Sequence, residues 1–542
     1  MGRYYRVDNF RGFPHTETGE RSGGSRQGVI PRPETPSEKI RRLSDSGYVA
    51  PPLESTKAQE SEYAGYNLGN KELPAYSHKQ EIIEAVNANR ITLLTGPTGS
   101  GKTTQFAQFA LEAGYERIVY LQPRRNNVDN ISERLHEELT SQLGEEGAKG
   151  LVGMAHSERV TIDKNTPIQV MTSGTFTKKV PELAEEWADM RVVVVADEIH
   201  ENNLETEFAA AFAARQVERN ANWRLVFASA TPDQNVLGGS YKAINGGDVP
   251  VVTIEGRPHH LEMIEEPDID IIAAYHAHSA GIAKSMIFVE GKRTINETID
   301  QLRRSMDRDE VARTKFYKLH AKISERAKQE IFSMELAPGE KAIIVSTSAG
   351  QSGITVPGLG LVITSGLTKS PELDGENAPG LPTRHCTQAE IVQQGGRAGR
   401  DIEGGKCVLA RPTGFGRAKN SDNDLYDFIP LQRRYPDMPP EIYSSNISRN
   451  VLAASAMGED FLEFNNYLKN SVKPSSIHEA YDVLHKLGAV DDGNKVTDTG
   501  RLMDVYPLRP ELSRAVAEVS LGRSLNIQVY TLIIAAAVEA KY

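Results

Sequence analysis

The sequence predicts an α/β protein: two tandem parallel-sheet domains followed by a helical C-terminal region. Three observations predict it. Short apolar, β-branched runs alternate twice with helical periods, as strand–helix units of a parallel sheet do. The first run, Ile91 to Thr95, leads into Gly96-Pro97-Thr98-Gly99-Ser100-Gly101-Lys102-Thr103, which fits G-x-x-x-x-G-K-[ST]. After the Pro-rich stretch Pro436 to Pro440 the apolar spacing turns helical.

Composition sets the outer bounds. A chain of 542 residues is long enough for several domains, and 39% hydrophobic with 25% charged residues is ordinary for globular proteins. The net charge of −11 does not advertise a polyanion partner, although a local basic groove could still bind one. Cys386 and Cys407 make neither a zinc pattern nor a disulfide framework, which suits a reducing compartment. No apolar run reaches the roughly 18 residues of a membrane span, and the N-terminus lacks the apolar core of a signal peptide. The expectation is a cytoplasmic protein, or a nuclear one in a eukaryote.

Residues 1–70 are rich in Gly, Pro, Ser and Arg and carry no sustained period, so a disordered arm is expected. Arg3, Arg6, Arg11, Arg21, Arg26, Arg32, Arg41 and Arg42 make it basic, either to touch a polyanion or as a solvated tail. Order begins near Leu73, where Ile82, Ile83, Val86 and Ala88 start a helix into the glycine loop. Strands are predicted at Ile118 to Leu121, Ile168 to Met171, Arg191 to Ala196 and Leu225 to Ala228, each ending in polar residues. Pro250 to about Glu266 reads as a connector with two extended pieces. A second domain, 251–435, has strands at Ser285 to Val289, Ala342 to Thr347, Leu361 to Thr364 and Val408 to Ala410. Beyond it Ile477, Ala480, Val483, Leu484 and Leu487 mark an amphipathic helix ended by Gly488, and Val496 to Met503 reads as hairpin then helix. Leu525 to Val538 is strongly apolar. It either packs back on the preceding region or belongs to a larger helical domain.

The glycine loop implies a nucleoside-triphosphate site. Its backbone N–H groups can curl around phosphate, and the following helix points its positive end at the same anion. Lys102 reaches the β- and γ-phosphates, and the Thr103 hydroxyl is placed to ligate Mg²⁺. Asp197-Glu198, after the buried valine run, can complete the Mg²⁺ environment and orient and deprotonate the attacking water. In the second domain Arg397 and Arg400 stand at i, i+3, sharing one face of a helix. Across a cleft they would neutralise charge developing in phosphoryl transfer, so hydrolysis would require domain closure.

Taken in order, GPTGSGKT, QPRR, MTSGT, DEIH, SAT, FVEG, STSAGQSGIT and QQGGRAGR resemble the DEAH/RHA family of superfamily 2 helicases. The resemblance runs from about Leu73 to the C-terminus. It implies two RecA-like domains (71–250 and 251–435), a winged helix over 440–508, and the incomplete start of a helical ratchet-like domain over 509–542, without the family's full ratchet and OB-fold. It implies ATP, with other NTPs accepted, and Mg²⁺ on Thr103, Asp197 and Glu198. Gly96, Pro97, Thr98, Gly99, Ser100, Gly101, Lys102, Thr103 and Thr104 would bind nucleotide; Gln393, Arg397 and Arg400 would meet the γ-phosphate. Arg134 and Phe332 match residues that sandwich the adenine, although Phe332 also reads as a core aromatic. His200, Ser229 and Thr231 would couple hydrolysis to RNA binding; Arg124, Arg125, Thr172, Gly174, Gly291, Lys292 and Thr347 would grip an RNA backbone.

The resemblance further implies a monomer moving 3′ to 5′ on single-stranded RNA, with an activator protein of the G-patch type and no membrane. Two other readings share the site chemistry: a nucleotide-switched nucleic-acid clamp, and a DNA helicase. This chain departs from the family at Gln394 (usually arginine), Gly353 (usually serine) and Pro357 (usually acidic). The segment Lys369 to Cys386, where relatives have a strand-separating hairpin, is rich in Pro and Gly.

Overall fold

The computed structural model describes residues 61–97, 99–230, 235–256, 260–350, 356–369, 382–399, 402, 404–413, 427–437, 439–522 and 525–539. The arginines of the N-terminal arm, Thr98, Thr231, Gly353 and Arg400 lie outside them.

Eight strands form the first sheet: β1 (Ile91–Thr95), β2 (Arg117–Gln122), β3 (Val152–His156), β4 (Arg159–Val160), β5 (Ile168–Thr172), β6 (Val192–Ala196), β7 (Trp223–Ser229) and β8 (Val251–Thr253). Their order is β4-β3-β5-β2-β6-β7-β1-β8, parallel except for β4. Strands β1, β2, β6 and β7 are buried along their whole length, which is why the sequence shows continuous apolar runs rather than alternation. Register brings the chemistry to one edge. Thr95 pairs with Ser229, Gln122 with Thr172, and Leu121 with Ala196, so the carboxyl ends of five strands lie side by side.

The second sheet runs β11-β12-β10-β13-β16-β9, with β9 (Leu261–Asp270), β10 (Lys284–Phe288), β11 (Thr314–Leu319), β12 (Lys341–Ser346), β13 (Leu359–Thr364) and β16 (Gly405–Arg411). All its pairs are parallel. Strands β14 (Leu367–Lys369) and β15 (Thr383–His385) form a separate antiparallel pair. The segment from Lys369 to Cys386 thus begins and ends in paired antiparallel strands, and residues 370–381 lie outside the described set.

The domain boundary expected at 250/251 needs correction: it moves toward the C-terminus, because β8 hydrogen-bonds to β1 and belongs to the first sheet. The two extended pieces expected between Pro250 and Glu266 are β8 and β9, the latter an edge strand of the second sheet along β16. Strands β3, β4 and β11 were not foreseen.

One apolar cluster lies on each face of the first sheet. The first holds Val86, Phe106, Phe109 and Leu135 from the helices Lys79–Ala88, Lys102–Glu112 and Arg125–Ala148. The second runs from Phe176, Phe208 and Phe212 straight into Val451, Phe461, Phe464, Ile477, Leu484 and Met503. Phe212 and Phe464 have ring centroids 4.5 Å apart. The C-terminal region thus shares a core with the first domain. It comprises the helices Ser448–Ala456, Pro474–Lys486 and Asp498–Val505, with a bridge between Val490 and Val496.

The apolar helix Leu525–Glu539 packs on Pro510–Ser520 and is tied by Arg509 to Glu539 at 3.1 Å, yet only Ala535 among its residues is buried. Among the described residues, no helix is long and apolar enough to cross a membrane.

Candidate nucleotide site and its link between domains

The glycine loop closes against the first sheet. Gly96 N–H donates to the Ser229 carbonyl at 3.3 Å, tying the loop to the end of β7. Gly101 sits at φ +89, where L side chains are strained, and a Cβ there would fall 2.9 Å from the Gln105 side chain. Glycine is the residue that lets helix Lys102–Glu112 begin at this point. Lys102 Nζ donates into the loop, to the carbonyls of Gly96 at 2.5 Å and Pro97 at 3.2 Å. Ser100 Oγ is buried with no hydrogen-bond partner among the described residues. An ammonium and an unsatisfied hydroxyl inside a loop at a helix N-terminus fit a phosphate chain.

Asp197 lies at the end of β6, 3% exposed. Its Oδ2 accepts from Thr103 Oγ1 at 3.0 Å and Gln122 Nε2 at 2.8 Å, and its Oδ1 accepts from Glu198 N–H at 3.0 Å. Burial, and after it the Glu198 charge, raise the Asp197 carboxyl to about 6; Gln122, Lys102 and Thr103 pull the other way. A carboxylate held unfavourably beside a threonine hydroxyl is the donor set a hard divalent cation would relieve, so Thr103 and Asp197 fit Mg²⁺. The Tyr120 hydroxyl donates to the Thr103 carbonyl at 2.7 Å, fixing this turn from below.

Glu198 stands at φ +52, a left-handed backbone, with its side chain a quarter exposed. His200 Nδ1 accepts from Ala230 N–H at 3.3 Å, so its proton belongs on Nε2, 3.4 Å from Glu198 Oε2. His200 therefore joins the Asp-Glu turn to the end of β7. Ser229 is buried at that same end. Of the residues expected to couple hydrolysis to RNA, His200 and Ser229 thus both lie at the end of β7, and Thr231 lies beyond the described residues.

The second domain approaches through Gln393, whose Nε2 donates to Glu201 Oε1 at 3.4 Å. The arrangement expected of Arg397 and Arg400 is corrected. The helix Gln388–Gly395 ends before Arg397, which lies in the following turn. Gly399 closes that turn: it has φ +63, and a Cβ there would meet the Gly405 backbone at 2.9 Å. Arg397 is 6% exposed and Gln393 8%. Gln394 is fully buried, with Nε2 3.8 Å from Cys386 Sγ, and burial pushes that thiol up to about 12. The position where relatives carry arginine thus points into the core. The Pro357 carbonyl accepts from Lys284 Nζ at 2.8 Å.

The residues expected to flank an adenine stand apart in character. Arg134 is half exposed and paired with Glu138 at 2.9 Å, while Phe332 packs partly buried against the second domain's apolar cluster. Glu138 also accepts from Gln105 and Gln108 of the nucleotide helix, at 2.8 and 2.7 Å.

The residues expected to grip a strand lie at strand ends. Arg124 pairs with Glu201 at 3.0 Å and Arg125 with Glu158, both arginines about half exposed. The Thr172 and Thr175 hydroxyls are 2.8 Å apart. Gly174 faces Glu205, and Gly291, at the N-terminus of helix Lys292–Ser305, faces the Lys369 side chain of β14. Thr347 N–H donates to the Leu319 carbonyl at 3.0 Å. Glu201, Gln122 and Tyr120 are the site residues that sequence reasoning missed. Glu201 carried one signal, an acidic residue directly after Asp-Glu-Ile-His.

Fold and site define a P-loop nucleotide-binding protein of two RecA-like domains. Residues 76–237 match the DEAD/DEAH box helicase model and residues 268–401 the helicase conserved C-terminal domain. The chain is 26% identical over 473 residues to "ATP-dependent RNA helicase HrpA" of Borreliella burgdorferi, covering 84% of this chain and 53% of that protein. It is 25% identical to the "Probable ATP-dependent RNA helicase DHX35 homolog" of Caenorhabditis elegans, covering 93% and 70%. It is 27% identical to the "Pre-mRNA-splicing factor ATP-dependent RNA helicase prp22" of Schizosaccharomyces pombe, covering 83% and 38%. The crystal structure of the Escherichia coli DEAH/RHA helicase HrpB superimposes with a TM-score of 0.70 at 21% identity, covering 86% of this chain and 56% of that one. The chain carries the DEAD/DEAH box helicase domain and the helicase conserved C-terminal domain, and is similar to proteins named ATP-dependent RNA helicases. It spans 38–70% of the length of the three relatives named here.

Proposed function

We propose that this chain is an ATP-dependent RNA helicase or ribonucleoprotein remodeller, coupling nucleoside-triphosphate hydrolysis to 3′-to-5′ movement on single-stranded RNA. The observation that carries the reading is the 3.0 Å hydrogen bond from Thr103 to Asp197, which joins the phosphate loop to the acidic turn at one sheet edge. Lys102 and the loop N–H groups bind the phosphates. Thr103 and Asp197 hold Mg²⁺, which when bound offsets phosphate charge. Glu198 orients the attacking water and takes its proton, with His200 beside it at 3.4 Å. Gln393, Arg397 and Arg400 close on the γ-phosphate from the second domain, while Arg134 and Phe332 flank the base.

Arg124, Arg125, Thr172, Gly174, Gly291, Lys292 and Thr347 contact the RNA backbone, giving affinity without sequence information. Residues 440–508 act as the winged helix and 509–542 as a ratchet-like segment. The working form is a cytoplasmic monomer that answers to an activator of the G-patch type. The test is unwinding of blunt and 3′-tailed RNA duplexes with ATP. Unwinding of the tailed duplex alone supports the reading. ATP-dependent binding without product would replace it with a clamp, and preference for a matched DNA strand with a DNA helicase.

A further inference from the structure

The turn that carries Glu198 is held from the third domain. Ile199–Glu201 form a single 3-10 turn between two left-handed non-glycine residues, Glu198 at φ +52 and Asn202 at φ +53. A non-glycine residue in this conformation is disfavoured and persists only where the surroundings over-determine it. On one side the first domain does this, through Asp197 with Glu198 N–H and through His200 with Ala230 N–H. The other side belongs to residues far along the chain. Lys469 Nζ donates to the Ile199 carbonyl at 2.9 Å and to Asn202 Oδ1. Glu441 N–H donates to the Asn202 carbonyl at 3.1 Å, and its carboxylate accepts from Asn203 Nδ2 and Leu204 N–H at 3.0 and 2.9 Å. Asn470, next to Lys469, donates to Glu207 at 2.7 Å.

Lys469 is 6% exposed. An ammonium is costly to bury and is tolerated where oxygens meet its donors. Here two of those oxygens belong to the catalytic turn. A lysine needed only for packing could be an apolar residue; this one satisfies two acceptors within the Ile199–Asn202 stretch, whose first residue follows Glu198 directly.

We propose that Lys469 is a positioning residue for nucleoside-triphosphate hydrolysis, acting through the Ile199 carbonyl and Asn202 to fix the backbone that aims the Glu198 carboxylate. The inference rests on the hydrolysis reading above. The third domain then completes the catalytic turn, and a ligand that shifts that domain on the first acts on turnover.

The test is steady-state ATP hydrolysis with Mg²⁺ and single-stranded RNA, on the full chain. Lys469→Met should lower kcat by about tenfold or more with KM within about threefold, the signature of lost transition-state positioning. Lys469→Arg, which keeps the donors, should recover most of the rate. Arg219→Met is the control: it removes the 2.7 Å contact to Glu459 at the same domain interface, away from the turn, and should leave kcat within about twofold. Unchanged kcat in Lys469→Met, or an equal loss in Arg219→Met, would overturn the proposal. If Lys469→Met folds poorly, Glu441→Ala probes the same turn: a matching kcat loss supports the proposal, and wild-type kcat overturns it. A wild-type rate no higher than that of Lys102→Ala would overturn the hydrolysis reading, and this inference with it.

Discussion

Glu201 of the first domain accepts a hydrogen bond from Gln393 of the second at 3.4 Å, while its other carboxylate oxygen holds Arg124 at 3.0 Å. One carboxylate therefore connects a residue proposed to meet the γ-phosphate with one proposed to meet RNA. An RNA phosphate arriving at Arg124 competes with Glu201, and the competition is felt at Gln393. Glu201→Gln should tighten RNA binding, lowering the half-saturating RNA concentration by roughly two- to fivefold, the scale of one exposed ion pair. It should also shrink the stimulation of hydrolysis by RNA. Fluorescence anisotropy with a labelled single strand reads the first effect, and unchanged affinity would remove Glu201 from the RNA side.

The Asp197 carboxyl gives a pH dependence with a definite sign. Its folded value is about 6, against about 3.9 in an unfolded chain. Between those values the folded state holds a proton that the unfolded state has released. The stability this group contributes is fully present below about pH 4 and is lost as pH rises past about 6. In nucleotide-free protein, wild type should lose stability relative to Asp197→Asn between pH 4 and 7. Paired urea titrations at several pH values measure the difference. A constant gap would mean that Asp197 is not under strain.

Gly399 leaves no room for a side chain. With φ +63 and the Gly405 backbone 2.9 Å from a would-be Cβ, Gly399→Ala forces two backbones apart. A loss of about 2–4 kcal/mol is expected from strain and clash together. Because Arg397 lies two residues away, hydrolysis should fall further than the loss of folded protein explains. Thermal unfolding beside kcat at a temperature well below the transition separates the two effects.

Much of this was legible in the sequence. The loop Gly96 to Thr103, the Asp197-Glu198 turn and the glutamine–arginine segment near 393–400 announce themselves, because phosphate chemistry restricts which residues can stand at those spacings. Strands β6 and β7 were legible as uninterrupted apolar runs. Val152–His156 was not, because VGMAH has neither alternation nor a β-branched run. Thr314–Leu319 interleaves lysines at a sheet edge, where only one side needs a partner. The helical reading of Arg397 and Arg400 failed because spacing alone cannot show that Gly399 must lie against Gly405. Nothing local to Glu201, Glu441 or Lys469 reveals what they touch; those contacts exist only once three domains are assembled.

That shared assembly should be visible in stability as well. Phe464 is fully buried between the third domain and Phe212 of the first. Phe464→Ala should cost about 3–5 kcal/mol and lower the unfolding transition of the first domain together with the third. Two transitions, with only the later one shifted, would show the domains to be energetically separate.

The account turns on nucleotide hydrolysis answering to RNA through two domains. The most direct measurement is steady-state ATP hydrolysis with and without single-stranded RNA, for wild type, Lys102→Ala and Arg397→Ala. The account predicts strong stimulation by RNA in wild type and its loss in both variants. Hydrolysis in wild type that is indifferent to RNA, or stimulation that survives Arg397→Ala, would contradict it.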